Sequence, residues 1–113
     1  MHEMSIAMGI IEIAEKQVRQ AGAHLVREIE IEVGDLSGVE YDTLVKALEI
    51  AVQKTILEKA KIKINRKVAE AHCSECTTVF NPKSLLDSCP KCSSYLYQLK
   101  SGKELRVKSL VVD

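Results

Sequence analysis

The sequence predicts an α+β protein, a small body of two helices packed on a roughly three-stranded mixed sheet, with a metal-held unit inserted near its carboxyl end. Three observations carry that expectation. Residues 5–20 and 42–54 repeat apolar side chains at helical spacing. Residues 27–33 and 62–68 alternate apolar and charged side chains with the period of a strand. All four cysteines fall in two matching pairs, Cys73-Ser74-Glu75-Cys76 and Cys89-Pro90-Lys91-Cys92.

In chain order, Ile6, Ile10, Ile13, Ala14, Gln17 and Ala21 mark one face of the first helix, and Ala7, Ile11 and Val18 widen it. So broad an apolar face is mostly buried. Ser5 is its expected N-cap and Gly22 its stop, which leaves residues 1–4 projecting ahead. The first strand sets Ile29, Ile31 and Val33 on one side and Glu28, Glu30 and Glu32 on a wet, acidic one. Gly34-Asp35-Leu36-Ser37-Gly38 is a turn, either a structural corner or a partner surface. Leu44, Val45, Leu48, Ala51 and Val52 give the second helix its face. After a turn at 55–60, Ile62, Ile64 and Val68 alternate with Lys61, Lys63 and Lys67 in a second strand continuing towards the cysteines. Tyr95, Tyr97 and Leu99 alternate beyond Cys92, and Leu105, Val107, Ser109 and Val111 share a face of a last strand. That strand returns to the first sheet, because alone its backbone groups would go unpaired. The expected division is therefore 1–67, completed by 102–113, with a zinc-ribbon unit at 68–101.

A Cys-x-x-Cys turn aims two sulfurs at one point, and two such turns complete a tetrahedron that Zn²⁺ accepts. Four thiolates would serve iron equally, so zinc rests on its prevalence. Disulfides are not expected, since nothing upstream looks secretory and the apolar sequence elsewhere needs no staples. A thioredoxin-like redox pair explains one such motif but not two. Ligated by Cys73, Cys76, Cys89 and Cys92, with no open position, the ion would be structural.

Lys plus Arg number 16 and so do Asp plus Glu, giving zero formal charge over 113 residues. That balance, with no Trp, offers little for nucleic-acid binding by counterion release or base stacking. The stretch 54–67 is locally basic, with Glu58 its sole acid. It is either a phosphate-binding stripe or a solvated strand edge. Glu3, Glu12 and Glu15 interrupt the apolar start, so no signal peptide is expected, and no run approaches a membrane span. A cytoplasmic protein is the expectation. No Ser/His/Asp or paired-carboxylate constellation suggests an enzyme.

At Met1-His2-Glu3 a terminal amine, the amide nitrogens of residues 2 and 3, and an imidazole Nδ1 lie close enough along the chain to wrap one cation. A square-planar nitrogen set suits Ni²⁺ or Cu²⁺. The bland alternative is a terminus fraying in solvent.

Taken together, Met1-His2-Glu3-Met4-Ser5, Gly34-Asp35-Leu36-Ser37-Gly38-Val39, the four cysteines, and Gly102-Lys103-Glu104-Leu105 with Ser109-Leu110 resemble the HypA/HybF metallochaperones. Those proteins deliver nickel during maturation of nickel–iron hydrogenases. The resemblance spans essentially the whole chain and implies a non-catalytic carrier of Ni(II). It implies that His2 is the principal ligand, that the Met1 amine and the backbone of His2 and Glu3 complete the nickel site, and that the cysteines bind structural Zn(II). It further implies a HypB-type GTPase and the hydrogenase large subunit as partners. From the charge balance and hydropathy no nucleic acid or membrane is an expected partner, and a monomer or weak dimer is expected. Some members carry histidines directly after their cysteine pairs, where this chain has Thr77 and Ser93, so a zinc site that changes ligands lacks its histidines here. His72 precedes a ligand and His24 sits in a loop, and neither is an expected ligand. The alternative reading is a zinc-ribbon adaptor that binds nucleic acid or a polymerase-like assembly through the 54–67 stripe.

Overall fold

The structure, a computed structural model, describes residues 2–113. Helix α1 (Glu3–Gln20) buries Ala7, Ile10, Ile11, Ala14 and Val18, the three- and four-residue spacing expected of it. It starts two residues before the expected Ser5, with His2 at the N-cap, so Glu3 and Met4 form its first turn and do not project ahead of it. The cause is long-range: the buried Glu3 carboxylate accepts the Glu40 N–H at 3.0 Å, 37 residues along the chain. Strand β1 (Val26–Gly34) buries Ile29, Ile31 and Val33. Helix α2 (Tyr41–Ala51) is capped by Glu40, whose carboxylate accepts from the Thr43 N–H at 2.6 Å. It ends before the expected Lys54, which turns the chain at φ 61°.

Strand β2 (Lys61–Lys67) lies parallel to β1, as a crossover through α2 requires. Beyond it come β3 (Glu70–Cys73), β4 (Val79–Phe80), β5 (Tyr97–Ser101) and β6 (Leu105–Val112). β6 returns to pair antiparallel with β1, completing a mixed sheet of order β2-β1-β6. Both helices supply buried side chains to one apolar cluster with β1, including Leu44 and Leu48 of α2 and Ile31 of β1. The second strand does not run on towards the cysteines as expected. The chain leaves the first sheet at Lys67, and β3 joins a separate sheet of order β4-β3-β5.

The acidic side of β1 is not uniformly wet. Glu28 is exposed, but Glu32 is only 2% exposed, covered by Arg106 of β6 at 2.5 Å and Lys67 of β2 at 3.5 Å. In the basic stretch, Lys67 thus has an acidic partner, and Arg66 lies 4.8 Å over the Tyr41 ring. Residues 61–67 of that stretch form the edge strand β2, facing solvent through Lys61 and Lys63.

The links between the sheets cross at Gly34. Its N–H donates to Glu104 O at 2.7 Å, and the Leu36 N–H donates to Gly102 O at 2.7 Å. A Cβ on Gly34 would overlap the Gly102 carbonyl, and one on Gly102, at φ +118°, would lie 2.7 Å from the Ala69 Cα. Only glycine permits that approach. The 34–38 turn is therefore a structural corner, with its first amides committed to the links. Among the described residues no helix is long and apolar enough to cross a membrane.

Candidate metal centres

Each cysteine pair folds into the same knuckle. The Cys73 N–H donates to Thr78 O at 2.9 Å and the Thr77 N–H to Cys73 O at 3.2 Å. In the second pair the Cys89 N–H donates to Ser94 O and the Ser93 N–H to Cys89 O, both at 2.8 Å. Closing each turn puts Thr77 and Ser93 in the left-handed region, both at φ 63°, an uncommon conformation for non-glycine residues. The knuckles face each other, and their four sulfurs lie within 4.8 Å of one another. Cys73 to Cys92 and Cys76 to Cys89 are each 3.6 Å apart, and all four thiols are free. A tetrahedron with metal–sulfur bonds of about 2.3 Å has edges of about 3.8 Å, so the four sulfurs lie close enough together to hold one metal ion. The four cysteines singled out in the sequence thus come together in one cluster.

Their ionisation is uneven. The Thr78 hydroxyl, 3.1 Å from Cys76 Sγ, and the Thr78 amide bring that thiol down to about 6. The Ser94 amide lowers the Cys92 thiol, but burial and the sulfurs of Cys76, Cys73 and Cys89 outweigh it and push Cys92 up to about 12. One thiolate is thus available near neutrality, and a bound cation would drive off the remaining protons. Thr78 was not singled out from the sequence, although a hydroxyl two residues after a cysteine was the available signal. His72 is turned away, its Nε2 at 3.2 Å from the Glu70 carboxylate. His24 is an exposed loop residue, and its N–H donates to Asp113 O at 2.7 Å. Neither joins the sulfur cluster.

The second candidate, expected from the sequence, is the start of α1. His2 is exposed, occupies the N-cap, and makes no side-chain capping hydrogen bond. The first amide with a helical acceptor is Ile6, which donates to His2 O at 3.2 Å. The nitrogens of residues 3–5 therefore precede the helical ladder. Glu3 divides its duties: its nitrogen is at the terminus, while its carboxylate is turned inward. The hydrogen bond from the Glu40 amide, followed by one from its own amide, holds that carboxyl below the ordinary carboxylate range, against burial. Met1, whose amine is an expected ligand, lies outside the described residues. Glu40 is the residue that sequence reasoning missed, because no local pattern joins positions 37 apart.

The profile of the family described as "Hydrogenase/urease nickel incorporation, metallochaperone, hypA" matches residues 1–112. The chain belongs to the HypA family. It is 48% identical over 112 residues to hydrogenase maturation factor HypA of Parabacteroides distasonis, covering 99% of this chain and 97% of that one. It is 40% identical to the HypA of Geobacter metallireducens, across the whole of both chains. The solution structure of the Ni metallochaperone HypA from Helicobacter pylori superposes with a TM-score of 0.69 at 26% identity, covering 99% of this chain and 97% of that one. A metallochaperone carries an ion and does not turn over a substrate, so HypA membership makes this chain non-catalytic, as expected from its residues.

Proposed function

We propose that this chain carries Ni(II) at its amino terminus and hands it to the large subunit of a nickel–iron hydrogenase in the cytoplasm, together with a HypB-type GTPase. Nickel is the cargo, held by the Met1 amine, the His2 imidazole and the backbone nitrogens of His2 and Glu3. Membership of the HypA family across the full chain carries this reading. Two features of the terminus support it. The His2 imidazole is exposed and makes no capping hydrogen bond, so it is free to bind. The Glu3–Glu40 hydrogen bond seats the base of the site against the α2 cap. A terminal, open-sided site lets a recipient's ligands approach nickel and displace its donors one at a time.

In this reading, 1–67 with 102–113 is the nickel-binding body, and 68–101 is a zinc ribbon in which Cys73, Cys76, Cys89 and Cys92 hold Zn(II). The spacing of the sulfurs supports zinc, and four protein ligands leave the ion no open position. Zinc then orders the second sheet and takes no part in transfer.

Isothermal titration of nickel into the zinc-loaded protein tests the terminal site. His2→Ala and a form extended by one residue at the amino end should both lose high-affinity binding and keep zinc and fold. Undiminished affinity in the extended form would exclude the amine, and undiminished affinity in His2→Ala would exclude the site.

A further inference from the structure

The four cysteines differ in access to solvent. Cys73 and Cys89 are buried, Cys76 is half-buried and Cys92 is exposed. The two more accessible residues belong to different knuckles, and each meets a buried sulfur of the other knuckle. Both sulfur contacts with hydrogen-bond geometry, Cys73 to Cys92 and Cys76 to Cys89, run between the knuckles at 3.6 Å. Each contact therefore joins a cysteine that a dissolved reagent can reach to one that the fold shields.

Exposure ranks these sulfurs once an ion is bound. The thiolate is the form that reacts with an oxidant, and a metal held by four cysteines keeps all four deprotonated. Protonation then no longer separates them, and the sulfur most open to solvent reacts first. Cys92 lies in an exposed run, with Pro90, Lys91 and Ser93 also open to solvent. Cys76 is less open and its Sγ is covered by the Thr78 hydroxyl at 3.1 Å, whereas no hydroxyl among the described residues bonds the Cys92 sulfur.

We propose that Cys92 is an oxidation site of this chain and Cys73 the thiolate that resolves it, so that hydrogen peroxide closes a disulfide between the two knuckles and releases the ion. The proposal rests on the zinc reading of the cluster. One peroxide oxygen passes to Cys92 Sγ as the O–O bond breaks, forming a sulfenic acid, and the other leaves as hydroxide and takes up a proton. Cys73 Sγ, 3.6 Å away, then attacks the Cys92 sulfur. The S–O bond breaks, and the oxygen leaves as hydroxide and is protonated to water. In sum, two thiolates, hydrogen peroxide and two protons become a disulfide and two waters, and the sulfurs give up two electrons. Cys76 and Cys89 are then the only thiolates left, too few for a closed tetrahedral site, and a further equivalent joins them across their own contact. A thiol reductant restores all four ligands.

The test uses the full chain and begins with metal analysis. A chain whose second sheet is folded without zinc would defeat the zinc reading and this proposal together. The zinc-loaded chain is then treated with less than one equivalent of hydrogen peroxide, its remaining thiols are blocked, and linked peptides are identified by mass spectrometry while a zinc-sensitive dye follows release. The first disulfide should be Cys73–Cys92, it should form in step with zinc loss, and a thiol reductant with added zinc should reverse both. With dimedone present to trap sulfenic acid, the first adduct should fall on Cys92. Any other first disulfide, including one within either knuckle, a first adduct on another cysteine, or zinc retained through disulfide formation would overturn the proposal and leave the zinc reading standing.

Discussion

At the residue scale, Glu3 joins the proposed nickel site to the rest of the molecule. A carboxylate on the Glu40 amide fixes where α1 starts, and therefore where the terminal nitrogens sit. Removing a group that orients metal ligands typically costs 10- to 100-fold in affinity, so Glu3→Ala should weaken nickel binding by about that factor. All four proposed donors remain in that variant. Calorimetry checks the affinity, and faster amide exchange at Glu40 would identify the lost tether; unchanged exchange there would show that the tether is not intact in solution. Thr77 carries a different kind of information. A β-branched residue at φ 63° is strained by about 1–3 kcal/mol, whereas glycine gives back only about 0.5–1 kcal/mol through the freedom of its unfolded state. Thr77→Gly should therefore raise the zinc-loaded unfolding midpoint, measurable by calorimetry, and a lowered midpoint would mean that the side chain has another structural role.

At the element scale, β1 is the strand on which both neighbours depend, and Glu32 ties it to β6 through Arg106 and to β2 through Lys67. The hydrogen bond from the Arg106 guanidinium holds the Glu32 carboxyl below its ordinary value, opposed by burial and helped by the charges of Arg106 and Lys67. With the folded value depressed, this carboxylate stabilises the protein fully above the unfolded pKa of about 4.3, and the contribution is lost as pH falls through the folded value. Glu32→Gln should accordingly be less stable than the parent at pH 7, and the gap should narrow in denaturant titrations below about pH 4. A gap independent of pH would make the role steric. The alternating sequence identifies β1 correctly, yet it treats Glu28, Glu30 and Glu32 alike. Burial of the last depends on a strand that arrives more than 70 residues later.

At the scale of the whole molecule, the two sheets have separate apolar clusters, one with Ile31, Leu44 and Leu48, the other with Ala71, Phe80, Cys73 and Cys89. Half of the second cluster's buried members are cysteines, so on the proposed zinc reading this part would have little core without the ion. A chelator that strips zinc should therefore broaden or collapse the amide signals of β3, β4 and β5 while those of β1 and the helices persist. Cys76→Ala should do the same. Loss of the first sheet together with the second would show that the Gly34–Gly102 crossing couples them into one folding unit.

The sequence by itself determined the parts that repeat locally or act as neighbours: both helices, the alternation of β1 and β2, and the paired cysteine knuckles. Each follows from a period or spacing short enough to see in a few residues. It also required a return of the last strand, because an unpaired strand is costly. The tertiary structure decided the start of α1 at Glu3, the burial of Glu32, the transfer of β3 to a second sheet and the close crossing of Gly34 with Gly102. All of these arise where segments distant in sequence compete for the same donors or the same space, and no local pattern records which segment will be there.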